Sequence, residues 1–139
     1  MNEAPPYILL VEDDPLDAEL ATLAFDLAGY ATSLVVTEDG QGALDFLRRE
    51  GHHAPRPARL PALILLDLNM RRMNGFEVMK ALRADPALRV IPVIVLTTSK
   101  SAADRTRCLE LGATDYLHKP DHIDAFERLV HDLCHTWLT

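Results

Sequence analysis

Residues 61 to 70 read PALILLDLNM, in which five apolar residues, Ala62 to Leu66, run without a break into an aspartate. An apolar run of that length with no polar alternation is what a strand buried on both faces requires. The pattern recurs along the chain. Tyr7–Glu12, Thr32–Thr37, Ala62–Asp67, Ile91–Thr97 and Asp115–His118 all read as strands, and three of the five are nearly uninterrupted apolar runs.

Helical patterns alternate with these segments. Leu16, Leu20, Leu23 and Leu27 fall on one face of a first helix that Gly29 stops. A second helix, about Gln41 to Arg49, offers Ala43, Leu44 and Leu47 to a core. A third, about Phe76 to Ala84, offers Met79 and Leu82 and ends at the Asp85–Pro86 step. The sequence SAAD at 101–104 reads as a capping-box start to the fourth helix, which Gly112 closes. The fifth carries Ile123, Phe126, Val130, Leu133 and Trp137. Five strands alternating with five helices imply a doubly wound α/β fold with a parallel sheet. Right-handed crossovers leave few topologies, and the flavodoxin-like strand order 2-1-3-4-5 is the one expected.

A chain of 139 residues is one domain's length, so residues 1–139 are expected to form a single domain, with 1–6 as a tail and no effector domain after it. No apolar run approaches the roughly 18 residues of a membrane span, and the N-terminus has no basic or cleavage-like segment, so the expected location is cytoplasmic. Fourteen basic residues against 21 acidic ones, a net charge of −7, argue against a nucleic-acid surface. Cys108 and Cys134 fall in helical patterns and read as reduced thiols. The segment EGHHAPRPARLP at 50–61, with three prolines and His52 and His53, reads as an exposed loop.

In an open α/β sheet, ligands bind beyond the carboxyl ends of the strands, at the switch point between strands 1 and 3. Strand 1 ends in VEDDP, strand 3 in LLDLN, strand 4 in VLTTS and strand 5 in YLHKP. Carboxylates, hydroxyls and an ammonium thus arrive at one edge. Asp14 has a structural reason of its own, since DPLD puts it at a helix N-cap with Pro15 at N1 and Asp17 at N3. Glu12 and Asp13 have none. With Asp67 they concentrate up to three negative charges, which repel unless a cation sits among them. Hard oxygen ligands with open positions for water and phosphate suit magnesium.

These residues carry a resemblance. ILLVEDDP, ILLDLNM followed by MNGFEV, VIVLTTS and LGATDYLHKP are similar to the receiver domain of two-component response regulators over about Tyr7 to Trp137. The resemblance implies that Asp67 is the phosphoacceptor, and that Glu12, Asp13, Asp67 and the backbone carbonyl of Asn69 hold Mg²⁺. It implies that Lys119 is the family's lysine, Thr97 the hydroxyl that follows the phosphoryl group, and Tyr116 the aromatic switch. Thr98 competes with Thr97, which could instead be a strand-end cap. The chemistry fits these types, because a carboxylate attacks phosphorus poorly until the phosphoryl oxygens are neutralised. Pro120 biases Lys119 toward extended backbone, which helps aim it. Receivers usually carry proline four residues after the acceptor; here that position is Arg71, so a less rigid loop and an altered kinase contact are expected.

The implied function is a stand-alone phosphoryl switch, not an enzyme, served by a sensor histidine kinase and acting on a downstream protein. The long proline-containing loop, TTS and the ending near TWL resemble the small regulators paired with phytochrome-type kinases. Three alternatives compete with this reading. One is a haloacid-dehalogenase-type phosphatase, which needs a second aspartate where Asn69 stands. Another is a flavodoxin-like FMN carrier, which needs a Ser/Thr/Gly-rich phosphate loop after strand 1, where this chain has EDDP, which repels phosphate. The third is a receiver-like docking module that is no longer phosphorylated. A two-fold homodimer through the fourth helix, fifth strand and fifth helix is expected, with the fifth helix running to Trp137 and Leu138. His131, Cys134 and His135 lack a fourth ligand at zinc-like spacing and read as solvated helix positions. Phe25, Phe46 and Phe126 read as core.

Overall fold

The strands β1 (Ile8–Val11), β2 (Leu34–Thr37), β3 (Leu63–Leu66), β4 (Val93–Thr97) and β5 (Asp115–His118) form one parallel sheet. Their order is β2-β1-β3-β4-β5, the order expected from right-handed crossovers. The computed structural model describes residues 5–49 and 59–139. His52, His53 and most of the proline-rich segment lie outside the described residues. Five helices connect and follow the strands: α1 (Pro15–Leu27), α2 (Gly40–Arg48), α3 (Gly75–Ala84), α4 (Ala102–Glu110) and α5 (Ile123–Trp137).

Every residue of β1, β3 and β4 is buried, which explains their lack of alternation. Alternate side chains feed two cores. One face joins Leu9, Val11, Ile64, Leu66, Val93 and Val95 to α2, α3 and Cys108. The other joins Ile8, Leu10, Leu63, Leu65, Ile94 and Leu96 to α1 and α5. Phe25, Phe46 and Phe126 fill these cores as expected. β2 starts later than the sequence pattern suggests, because Ala31–Ser33 close a 3-10 turn. β4 starts after Pro92, which lacks an N–H but whose carbonyl accepts from Ile64.

The first helix corrects the sequence reading. Three of its four leucines face outward, with Leu16 73%, Leu23 46% and Leu27 51% exposed, while Leu20 packs partly against the core. Ala21, Ala24 and Phe25 are buried instead. The helix carries two apolar stripes, and the one made of Ala21, Ala24 and Phe25 lies against the sheet and α5, where the alanines permit close approach. Cys134 is a second correction: it is buried beside α1, whereas His131 and His135 are exposed. Burial pushes the Cys108 and Cys134 thiols up to about 11, so both are unreactive packing groups.

The Asp14 cap is found as expected, and the expected box at α4 is not. Asp14 accepts from the N–H groups of Leu16 and Asp17, and Asn74 with Glu77 forms a capping box on α3. At α4, Ser101 caps the Asp104 N–H, but the Asp104 carboxylate accepts from Ser99 Oγ at 2.7 Å instead of completing a box. Gly112, at φ +98, ends the turn after α4, and the Arg83 guanidinium donates to the Leu111 and Gly112 carbonyls there.

Gly75 has no room for a side chain. A Cβ there would lie 2.6 Å from the Asp67 carbonyl oxygen and 2.8 Å from Leu68 Cα, both backbone atoms that cannot turn aside. We expect Gly75→Ala to destabilise the protein by about 1–3 kcal/mol, read as a lower urea midpoint, with Asp67 displaced by the strain.

Candidate functional site

The sheet ladder continues one residue past each strand that serves the site. The Glu12 N–H donates to Thr37 O at 3.1 Å, the Asp67 N–H to Val11 O at 3.2 Å, and the Lys119 N–H to Thr97 O at 2.7 Å. Backbone pairing therefore fixes three of the expected residues before any side chain is considered. Pro120 follows Lys119 and keeps the chain extended.

One carboxylate oxygen each from Glu12, Asp13 and Asp67 lie within 4.8 Å of one another. Glu12 and Asp67 are buried, and Asp13 is half-buried. Three hard oxygen donors at that separation fit a divalent cation that keeps further positions for other ligands. Asn69 lines the same cleft, of about 260 Å³, together with Asp13, Asp67 and Lys119.

Lys119 supplies the counter-charge, although its residue is only 8% exposed. Its Nζ donates to Glu12 Oε1 at 2.5 Å and to Asp17 Oδ2 at 2.9 Å, and lies 3.8 Å from Asp67 Oδ1. Burial works against the ammonium charge, but the bonds to Glu12 and Asp17 and the charge of Asp67 outweigh it and raise the lysine above its ordinary 10.5. Burial pushes the Glu12 carboxyl up from 4.5 to about 7; the Lys119 bond opposes this, and Asp67 adds to the rise.

Thr97 and Tyr116 belong to one hydrogen-bonded unit on the α4 side of the sheet. Thr97 is fully buried, and its Oγ accepts from the Ser99 N–H at 3.2 Å. Tyr116 is buried, and its hydroxyl donates to the Ser99 carbonyl at 3.1 Å. Thr98, exposed, is the hydroxyl residue that lines the cleft with Asp67 and Lys119. The two threonines thus divide the positions that the sequence left open between them.

Two contributions were not foreseen. Asp17, assigned only to a helix start, also binds Lys119. Its place in the first turn after the acidic pair was the available signal. The Arg71 N–H donates to Asp13 Oδ2 at 3.0 Å, a bond that proline could not make. The substitution that suggested a looser loop therefore adds a tether to it.

Residues 8–131 match the response regulator receiver domain family. The chain is 38% identical over 136 residues to the probable methanogenesis regulatory protein FilR2 of Methanothrix harundinacea, covering 98% of this chain and 86% of that one. It is 35% identical over 137 residues to the response regulator Rcp1 of Synechocystis, covering 99% and 92%. The Mn²⁺-bound structure of Rcp1 matches with a TM-score of 0.81 at 35% identity, over 96% and 95% of the two chains. The phosphorylated cyanobacterial phytochrome response regulator RcpA matches with a TM-score of 0.86 at 34% identity, over 98% and 96%. Receiver domains are signalling modules that partner with histidine kinases and bind a divalent metal at an acidic cluster. Among the described residues, no helix is long and apolar enough to cross a membrane. A sequence match through residues 8–131 and a fold shared along nearly the whole chain lead to one assignment: this protein belongs to the response regulator receiver domain family.

Proposed function

We propose that this protein is a cytoplasmic phosphorylation switch in which Asp67 accepts a phosphoryl group from a kinase phosphohistidine with Mg²⁺ bound. The observation that carries the proposal is the meeting of Glu12, Asp13 and Asp67 within 4.8 Å, with the Lys119 ammonium beside them. One Asp67 oxygen attacks phosphorus as the bond to the imidazole nitrogen breaks, and Lys119 offers hydrogen bonds to the phosphoryl oxygens. Glu12, Asp13, Asp67 and the Asn69 carbonyl would hold the Mg²⁺, whose contribution is further charge neutralisation. No second carboxylate stands at position 69, which argues against a phosphatase of the aspartate-nucleophile type.

The donor protein has to cover the surface around the cleft. A groove of about 1240 Å³ adjoins it at Asp13, lined by Leu16, Leu20, Leu23 and Val36 and by acidic residues that include Glu19 and Glu38. The exposed leucines of α1 thus gain a purpose as the apolar seat of the kinase. Likeness to the cyanobacterial phytochrome response regulator RcpA supports a phytochrome-type kinase. The Thr97–Ser99–Tyr116 chain of hydrogen bonds supports a switch that links the site to the α4–β5 surface.

Replacing Asp67 with Asn should abolish labelling by a small phosphoryl donor in the presence of Mg²⁺, and chelation should do the same to the parent. An acid-stable, base-labile adduct is the readout; undiminished labelling of Asp67→Asn would falsify the acceptor assignment.

A pH dependence follows from Glu12. Its native carboxyl, raised to about 7, binds its proton more tightly than the unfolded glutamate, which titrates near 4.5. The metal-free protein should therefore lose stability as pH rises from about 4.5 through about 7, and Mg²⁺ should remove the loss by replacing the proton. Urea midpoints across that range, with chelator or Mg²⁺, provide the measurement. The Glu12→Gln variant should lack the step.

Output by self-association through α4, β5 and α5 is the remaining part of the proposal. That face exposes Leu109 and mixed charges, while Trp137 and Leu138 pack partly onto the α1–α5 core, so the contact would be largely polar. Sedimentation should show a two-fold dimer, and reversing the charge at Asp115, exposed on β5, should dissociate it.

A further inference from the structure

We propose that Asp17 restrains Lys119, and that a partner engaging Asp17 releases the lysine toward the acceptor. This inference rests on the reading of Asp67 as the phosphoacceptor. An acidic residue in the first turn of a helix has an ordinary role in complementing the helix dipole. Asp17 does more than that, because its carboxylate reaches across to β5 and accepts from Lys119 Nζ at 2.9 Å.

The ammonium is pulled to the α1 side of the cleft. It bonds Glu12 at 2.5 Å and Asp17 at 2.9 Å, while Asp67 Oδ1 at 3.8 Å lies beyond hydrogen-bond distance. The two holding carboxylates differ in kind. Glu12 belongs to the cluster able to hold a divalent ion, and Asp17 does not. With Glu12 committed to an ion, Asp17 is the carboxylate that still competes with a phosphoryl oxygen for Lys119.

Asp17 is also reachable. Its side chain is 39% exposed, and its neighbours Leu16 and Leu20 line the groove along α1, which carries both apolar and acidic residues. A protein seated on that groove with a cation against Asp17 would neutralise the restraint at the moment the phosphoryl group is delivered. Asp17 is thus a positioning residue that couples docking to reactivity.

Phosphoramidate tests this without a kinase. An Asp67 oxygen forms the new O–P bond, the P–N bond breaks, and ammonia leaves on a nitrogen protonated from solvent. Lys119 neither gains nor loses a proton. At saturating Mg²⁺, so that ion affinity does not enter, Asp17→Asn should be labelled about three- to ten-fold faster than the parent. In a Lys119→Ala background the same substitution should change nothing, which a merely structural role for Asp17 would not produce. Asp17→Ala should repeat the gain, so the answer does not hang on how Asn suits the helix. A folded Asp17 variant labelled no faster than the parent, or an equal gain without Lys119, would overturn the proposal. A parent that takes no label would remove the Asp67 reading beneath it.

Discussion

The buried pair of Lys119 and Glu12 is the constraint on which the site depends. The two residues are 107 positions apart in sequence, at the tips of β5 and β1, with β3 and β4 between them. Desolvating both charges gives little net stability, so such a pair is better understood by what it organises than by what it stabilises. Here it sets an ammonium among more carboxylates than it can neutralise. Burial, with a smaller contribution from Asp67, raises the Glu12 pKa, and the excess negative charge makes the cluster receptive to a cation.

The sheet makes that crowding tolerable. Its ladder reaches Glu12, Asp67 and Lys119 through their backbone amides, so the charged tips are anchored by hydrogen bonds that do not depend on their side chains. The buried strands beneath supply the hydrophobic stabilisation against which the repulsion is set. Gly75 packs on the backbone of Asp67 and Leu68, and the Arg71 N–H holds Asp13. The loop after β3 is therefore part of the acidic site. On the opposite flank, Thr97, Ser99 and Tyr116 form a chain of hydrogen bonds leading away from it.

Helix α1 joins the chemistry to the surface. Its N-cap lies next to the acidic pair, its third residue holds Lys119, and Leu16, Leu23 and Leu27 face outward. A helix built only for packing would turn its larger apolar stripe inward. This one presents leucine to the outside and gives alanine and phenylalanine to the core, consistent with a surface intended for contact.

The sequence by itself determined the strand order, the buried character of β1, β3 and β4, and the arrival of Glu12, Asp13, Asp67 and Lys119 at one edge. These are local facts of apolar runs and of the residues that end them, and crossover handedness converts them into topology. Tertiary structure decided the rest. Both stripes of α1 are apolar, and only close packing against the sheet and α5 selects the one with Ala21, Ala24 and Phe25. Cys134 is buried because α5 turns it toward α1, which isolated helix spacing did not reveal. Thr97 and Thr98 look alike in sequence, and the register of β4 against β5 sends one into the interior and the other to the cleft. The side chain of Asp17 and the N–H of Arg71 find their partners across the fold, on residues 102 and 58 positions away. Bonds of that range depend on how the chain is brought together in space, and a linear pattern does not encode them.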